Sequence, residues 1–344
     1  MGILKILLAL LVFGVLIFIH ELGHFLAARA CGVAINEFAI GMGPKLFSWK
    51  SKKYGTQYAL RAFPIGGFVS MVGEDEASEE EGAFNKKNVW QKIAIIVAGP
   101  MMNIVLGVVL MFVLVAGSGQ LVSTTVGAFT DGATSVEAGL SVGDTIRKVN
   151  GVSVHTGNEL VYEIMNSGYK AVTLTVERDG EKIVLENVNF PLFEENGTTF
   201  GTTDFKLYAA QKTFGNVIKH AFFRSLSTVK MIWDSLISLL TGRYGVDSVS
   251  GPVGITQEIG KAASEGWAYF LYMFVVISMN LGVFNLLPIP ALDGGRLFFR
   301  IIEVFRGGKP LEAKWEAYVH AAGIMVLLAI MVLVTFKDIV KLFQ

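Results

Sequence analysis

Cysteine is almost missing from the chain: there is one, Cys31, among 344 residues. A lone cysteine excludes an intrachain disulfide and a cysteine-based structural zinc site. Any metal ion must then rest on histidine and carboxylate ligands. Charge is scarce too, at 17% of residues, and 29 basic side chains balance 29 acidic ones. A net charge of zero offers nothing to a nucleic-acid backbone, and no nucleic-acid partner is expected. What fills the space is apolar: 52% of residues are hydrophobic and the mean hydropathy is +0.53. That balance is too apolar for an ordinary soluble domain of this size, so several membrane spans are expected.

Four apolar blocks carry that expectation: residues 3–30, 93–116, 267–287 and 318–336. Each reaches the roughly 20 residues that cross a hydrocarbon core. The first has the order of a cleaved leader, with Lys5, an apolar run and then Ala27, Ala28 and Ala30, but is read as a span because it holds the motif that explains the rest. Residues 214–240 are long enough, yet carry Lys219, His220, Arg224, Lys230 and Asp234, and charges at mid-span are costly. Their apolar residues, among them Val217, Ala221, Phe222 and Leu226, recur at helical spacing. An amphipathic helix on the membrane surface is expected there. Lys45, Lys50, Lys52, Lys53, Arg61, Lys86, Lys87 and Lys92 lie between the first two spans, and Arg296, Arg300, Arg306, Lys309 and Lys314 between the last two. These basic loops are assigned to the cytoplasm. Both termini and residues 117–266 then lie outside. Trp90 with Lys86, Lys87 and Lys92 reads as an interfacial anchor, and Glu74 to Gly82 as a solvated acidic loop.

Within the first span stands His20-Glu21-Leu22-Gly23-His24. Residues four apart share a helix face, so both histidines can reach one metal ion. Glu21 lies one position round, able to touch a water there without being a ligand. This is the arrangement of a hydrolytic zinc site, and polar residues deep in an apolar span need such a reason. Zinc of this kind takes three protein ligands. Asp293 is the best third ligand: Pro288 and Pro290 break the third span, and Gly294-Gly295 permit a turn that brings the carboxylate inward. The first and third spans both run inward, so His24 and Asp293 arrive at the same depth. Asn285 is an intramembrane amide near the site; it reads equally as a donor to substrate or oxyanion and as a packing contact. Asn103 and Asn280 read as packing residues.

From Thr124 to about Phe190 the pattern is that of a small soluble domain. Val172, Leu174 and Val176 alternate, Arg178-Asp179-Gly180-Glu181 turns into Ile183 to Leu185, and a short helix is expected between Glu159 and Asn166. The run from Ala138 to Gly151 resembles the PDZ domains of bacterial proteases, which bind extended peptides by strand addition. His155 reads as a surface residue, not a ligand.

The HExxH segment, Gly41-Met42-Gly43-Pro44, Pro64-Ile65-Gly66-Gly67-Phe68-Val69, Ala98-Gly99-Pro100 with Asn103, the PDZ-like run, Gly251-Pro252-Val253-Gly254-Ile255 and Leu292-Asp293-Gly294-Gly295 follow one another in a fixed order. Together they resemble the site-2 protease family of intramembrane zinc metalloproteases, in its bacterial RseP-like branch and in a single-PDZ form. Some members carry two PDZ domains; this chain has room for one. The resemblance implies a polytopic α-helical membrane protein with four transmembrane helices, a membrane-associated β-hairpin-like loop and one inserted extracytoplasmic PDZ (α+β) domain. The expected divisions are 1–120 with the loop at about 38–74, the PDZ domain at 121–195, an amphipathic helix and linker at 196–266, and the last two spans at 267–344. It implies Zn2+ held by His20, His24 and Asp293, with Glu21 as catalytic base. Gly66, Gly67 and Phe68 of the loop, with Asn285 and Pro288, would bind substrate as an extended strand. The implied substrates are single-span membrane proteins of the anti-sigma-factor type, or remnant signal peptides, in a bacterial inner membrane, with a peptide ligand for the PDZ domain and the lipid bilayer as further partners. A catalytically idle PDZ adaptor is the alternative, and the intact Glu21 argues against it.

Overall fold

The structure is a computed structural model that describes residues 3–341 and 343, apart from Asp75 and Asn196. Asp75, in the acidic run, thus lies outside the described residues. In chain order, α1 (Ile3–Ala30) leads into β1 (Ile35–Lys50), β2 (Gln57–Met71) and α2 (Val89–Gly117). Then come β3 (Leu121–Phe129), β4 (Thr145–Val149), β5 (Val152–Ser153), α3 (Gly157–Ser167), β6 (Val172–Arg178) and β7 (Glu181–Val188). Three strands follow, β8 (Leu192–Glu195), β9 (Thr198–Gly201) and β10 (Phe205–Ala210), and then α4 (Phe214–Leu240). The remainder is α5 (Pro252–Glu265), α6 (Trp267–Leu286), α7 (Asp293–Phe305) and α8 (Ala313–Lys341). The chain forms two compact units, one of Met1–Gly107 with Ser250–Gln344, the other of Val108–Val249.

In the first unit α1, α6 and α8, together with α2, are the helices among the described residues long and apolar enough to cross a membrane. The molecule is a polytopic membrane protein. Small residues let α1 and α2 meet backbone to backbone. A Cβ on Gly23 would collide with the Ala98 carbonyl, and one on Gly99 with the His24 ring. The Ala98-Gly99-Pro100 motif is therefore the place where α2 makes room for His24.

Strands β1 and β2 pair antiparallel, with several register shifts. Ala39 has two partners, Phe68 on one side and Ala59 on the other, and Ala59 in turn faces Ser48. The two strands are thus bent into a wider sheet in which residues 67–71 pair on one side only. Their other edge has no strand beside it among the described residues. Gly41, Gly43 and Gly66, at φ +84°, +85° and +87°, supply the left-handed backbone these bends require.

Helix α5 braces α1. Its Ile259 is buried with Ala9, Val12 and Leu16. The Asp338 carboxylate of α8 accepts from the Gly251 and Gly254 amides at 2.9 and 2.8 Å, satisfying donors that a helix start leaves open. Pro252 in the first turn is the sequence signal that marks this helix.

The second unit is built on a sheet of order β10-β3-β4-β6-β7, with β5 beside β4. Its core gathers Val126, Leu140, Ile146, Leu160, Ile164 and Leu174, all fully buried. The β6–β7 turn pairs Arg178 with Glu181 across Asp179 and Gly180, both at positive φ. A Thr156–Glu159 capping box starts α3. The sheet runs past residue 195, the expected end of this domain. Strand β10 pairs with β3 through Leu207↔Val126 and Ala209↔Val122, after the β8–β9 excursion interrupts the alternating pattern. The Asp144 side chain is fully buried and takes hydrogen bonds from Arg178 at 2.7 and 2.8 Å and from the Ser141 amide at 2.8 Å. Burial pushes this carboxyl up, but Arg178 and Ser141 outweigh it and hold it below its ordinary value. Exposed His155 stacks on Phe223. Helix α4 buries Val217, Ala221 and Ile232 on one face. It exposes Phe214, Ile218, Phe222, Leu226, Trp233, Ile237 and Leu240 along another.

Candidate metal centre

Two helix turns and one broken helix build the site. His20 and His24, four residues apart on α1, present their Nε2 atoms 3.2 Å from each other. The third group arrives from far along the chain. Helix α6 stops at Leu286, Pro288 and Pro290 forbid its continuation, and Ala291 turns the backbone at φ +82°. The Ala291 amide donates to His320 Nδ1 of α8 at 3.1 Å, which steadies that unusual turn. Helix α7 then opens on Asp293. Its Oδ2 lies 3.0 Å from His20 Nε2 and 3.3 Å from His24 Nε2.

The spacing fits a small divalent cation. Zinc bonds of about 2.0–2.2 Å at tetrahedral angles set ligand atoms roughly 3.3–3.5 Å apart. Asp293 Oδ2 is buried and receives no hydrogen bond of acceptable geometry, although two ring nitrogens are near. Three atoms that can each offer a lone pair thus converge on one point. Two imidazoles and one carboxylate form the donor set of an open, hydrolytic zinc site.

Around the cluster lies a cavity of about 170 Å3, lined by His20, Glu21, His24 and Asp293, by Phe68, Val69 and Met71 of β2, by Ile95 and Ile96, and by Glu74 and Arg296. Glu21 shares it without joining the three converging atoms. Gly67 lies against Glu21, whose Cγ would stand 3.5 Å from a Cβ placed there. The one-sided edge of residues 67–71 therefore passes beside Glu21 and the cluster.

The structure brings His20, Glu21, His24, Phe68 and Asp293 to one cavity, and Gly67 to its border. It does not bring Asn285, Pro288 or Gly66 into the lining. The Asn285 amide instead donates to the Leu281 carbonyl of its own helix at 2.9 Å.

Three residues differ from their sequence reading. Glu74 is no solvated loop residue; it lines the cavity and pairs with Arg296 of α7. Lys92 is not an interfacial anchor. It is 4% exposed and pairs at 3.0 Å with Glu303, which also holds Arg300 at 2.7 Å, and Arg300 pairs with Glu316 of α8. A lysine at the end of a span reads as a snorkelling cation until a buried partner 211 residues away is known. Asn103 is fully buried, but its amide faces His20 Nδ1 at 3.3 Å.

Known proteins resemble this chain along nearly its whole length. The model of peptidase family M50 matches residues 8–330. A candidate zinc metalloprotease of Clostridium acetobutylicum is 36% identical over 342 residues, covering 99% of this chain and 98% of the relative. The regulator of sigma-W protease RasP of Bacillus subtilis is 31% identical over 419 aligned positions, with 97% of this chain and 98% of the relative covered. The zinc metalloprotease RasP of Bacillus licheniformis is 31% identical over 417 positions, with the same 97% and 98%.

Proposed function

The chain belongs to peptidase family M50 and is a zinc metalloprotease, and from that premise we propose that it cuts peptide bonds within or beside the membrane-spanning segment of single-span membrane proteins. The observation that carries this reading is the joining of three ligand atoms 3.0–3.3 Å apart, the Glu21 carboxylate, which accepts from the Val69 amide, and a one-sided strand edge in one cavity flanked by spans.

His20, His24 and Asp293 hold the metal. When bound, zinc acidifies a water molecule to a pKa of about 7 and polarises the scissile carbonyl. Glu21 takes the proton from the attacking water and delivers it to the leaving amine. The edge of residues 67–71, with Phe68 and Val69 facing the cavity, pairs with substrate backbone and holds it extended. Pro288 serves the turn that delivers Asp293, and Asn285 bonds within its own helix.

The name of the Bacillus subtilis relative, regulator of sigma-W protease, ties that protein to a sigma factor. We carry over substrates of that kind, single-span anti-sigma factors, and add remnant signal peptides. The protein sits in the bacterial cell membrane with its basic loops inside, so that cleavage falls near the cytoplasmic side. Residues 121–210 form an external PDZ domain that takes extended peptides, and the exposed apolar row of α4 lies on the lipid surface.

The test is Glu21→Gln in purified full-length protein with a model transmembrane substrate. Zinc content is expected to stay at the wild-type level while cleavage falls by at least about a thousandfold, the loss of an essential acid–base group with its barrier contribution. Unchanged cleavage would remove Glu21 from the mechanism, and a wild-type chain that binds zinc but never cuts would leave the adaptor reading.

A further inference from the structure

The ring nitrogens that face away from the cluster carry a second layer of geometry. His24 Nδ1 lies 2.9 Å from the Ile95 carbonyl, to which it donates when it bears the proton. His20 Nδ1 lies 3.3 Å from Nδ2 of Asn103. A histidine whose Nε2 lone pair faces a cation carries its proton on Nδ1. As oriented, the Asn103 amide therefore sets one donor against another. At the same time Asn103 Oδ1 is buried with no hydrogen-bond partner. Both faults have one remedy. The oxygen and nitrogen of an asparagine amide are told apart only by their partners. A half-turn of the amide places Oδ1 on His20 Nδ1–H.

The backbone at this point is held independently of the amide. Ser278 Oγ of α6 donates to the Asn103 carbonyl at 2.8 Å, and both residues are fully buried. The side chain thus projects toward His20 from a fixed base.

We propose that Asn103 is a positioning residue: its side-chain oxygen accepts from His20 Nδ1–H and so fixes the tautomer and ring orientation of His20, as the Ile95 carbonyl does for His24. Asn103 touches neither substrate nor metal. The inference rests on the reading of His20 as a ligand, and it goes beyond it by naming what aims that ligand. Partners of this outer kind typically change metal affinity by about 10–100-fold.

The experiment measures zinc affinity by competition with a chelating dye, and the visible absorption of the Co2+ form, in full-length protein in detergent. Asn103→Ala is expected to weaken zinc by about 10–100-fold and to alter the Co2+ spectrum. Asn103→Asp, which keeps an acceptor oxygen for Nδ1–H, is expected to restore both. Wild-type affinity and spectrum in Asn103→Ala overturn the proposal, as does an equal loss in Asn103→Asp. If Asn103→Ala does not fold, failure of Asn103→Asp to keep the wild-type Co2+ spectrum overturns it, and retention supports it. His20→Ala separates the two levels. Loss of zinc there with wild-type binding in Asn103→Ala sinks only the role of Asn103. Undiminished zinc binding in His20→Ala sinks the ligand assignment, and this inference with it.

Discussion

At the residue scale, the site is governed by groups whose partners lie in other helices. His20, Glu21 and His24 were legible because one helix turn contains them all, and Asp293 because two prolines and two glycines mark the turn around it. Asn103 was not, since an asparagine in an apolar run looks the same whether it packs or aims a ligand. Glu74 was hidden for a similar reason: its partner Arg296 comes from the far end of the chain. Asp144 is a case where burial and pairing oppose each other and pairing wins. Its lowered folded-state pKa gives the sign of the pH effect. The pair stabilises the fold above the unfolded carboxyl value of about 3.9, and that stabilisation is lost as pH falls through the lower, folded value. The protection of amides 145–149 against hydrogen exchange, taken relative to the intrinsic rate at each pH, is therefore expected to fall on acidification below about pH 4. Asp144→Asn should exchange faster at neutral pH and respond less to acid. An acid response identical in both proteins would place the sensitivity elsewhere.

At the element scale, the spans were easy to read because continuous apolarity needs no partner to be recognised. The helix at 214–240 was equally plain, since its period survives its charges. Strand β1, with two positive-φ glycines and a proline inside it, has no clean alternation, and α5 and α7 are too short for a hydropathy signal. What binds α2, α7 and α8 together is the chain of charges Lys92, Glu303, Arg300 and Glu316. Breaking a buried pair typically costs about 3–5 kcal/mol. Arg300 still pairs with Glu303 when Lys92 is replaced, so Lys92→Met is expected to destabilise by a smaller amount, about 2–3 kcal/mol. Thermal unfolding in detergent checks this. An unchanged midpoint would return Lys92 to the membrane interface, where the sequence alone had put it.

At the scale of the whole molecule, an even number of spans returns the chain to the side on which it began, and the start of α1 and the end of α8 do meet the same helix, α5. In a Cys31→Ser background, single cysteines at Lys52 and at Ser141 are expected to react with a membrane-impermeant reagent from opposite sides, Lys52 from the cytoplasm and Ser141 from outside. Labelling of both from one side would refute the topology. The strand edge at residues 67–71 has a last consequence. A strand edge pairs with amides and carbonyls that every residue carries alike. That pairing by itself reads no side-chain code. The choice then falls on how readily a bound helix comes undone. In hydrocarbon each freed backbone group costs several kcal/mol until it finds a new partner. A glycine or proline near the scissile bond lowers the cost of opening by about 1–3 kcal/mol. On the proposed reading of this edge, substrates would be sorted by the fragility of their helices, and a tightly wound neighbour of the same composition would be cut more slowly.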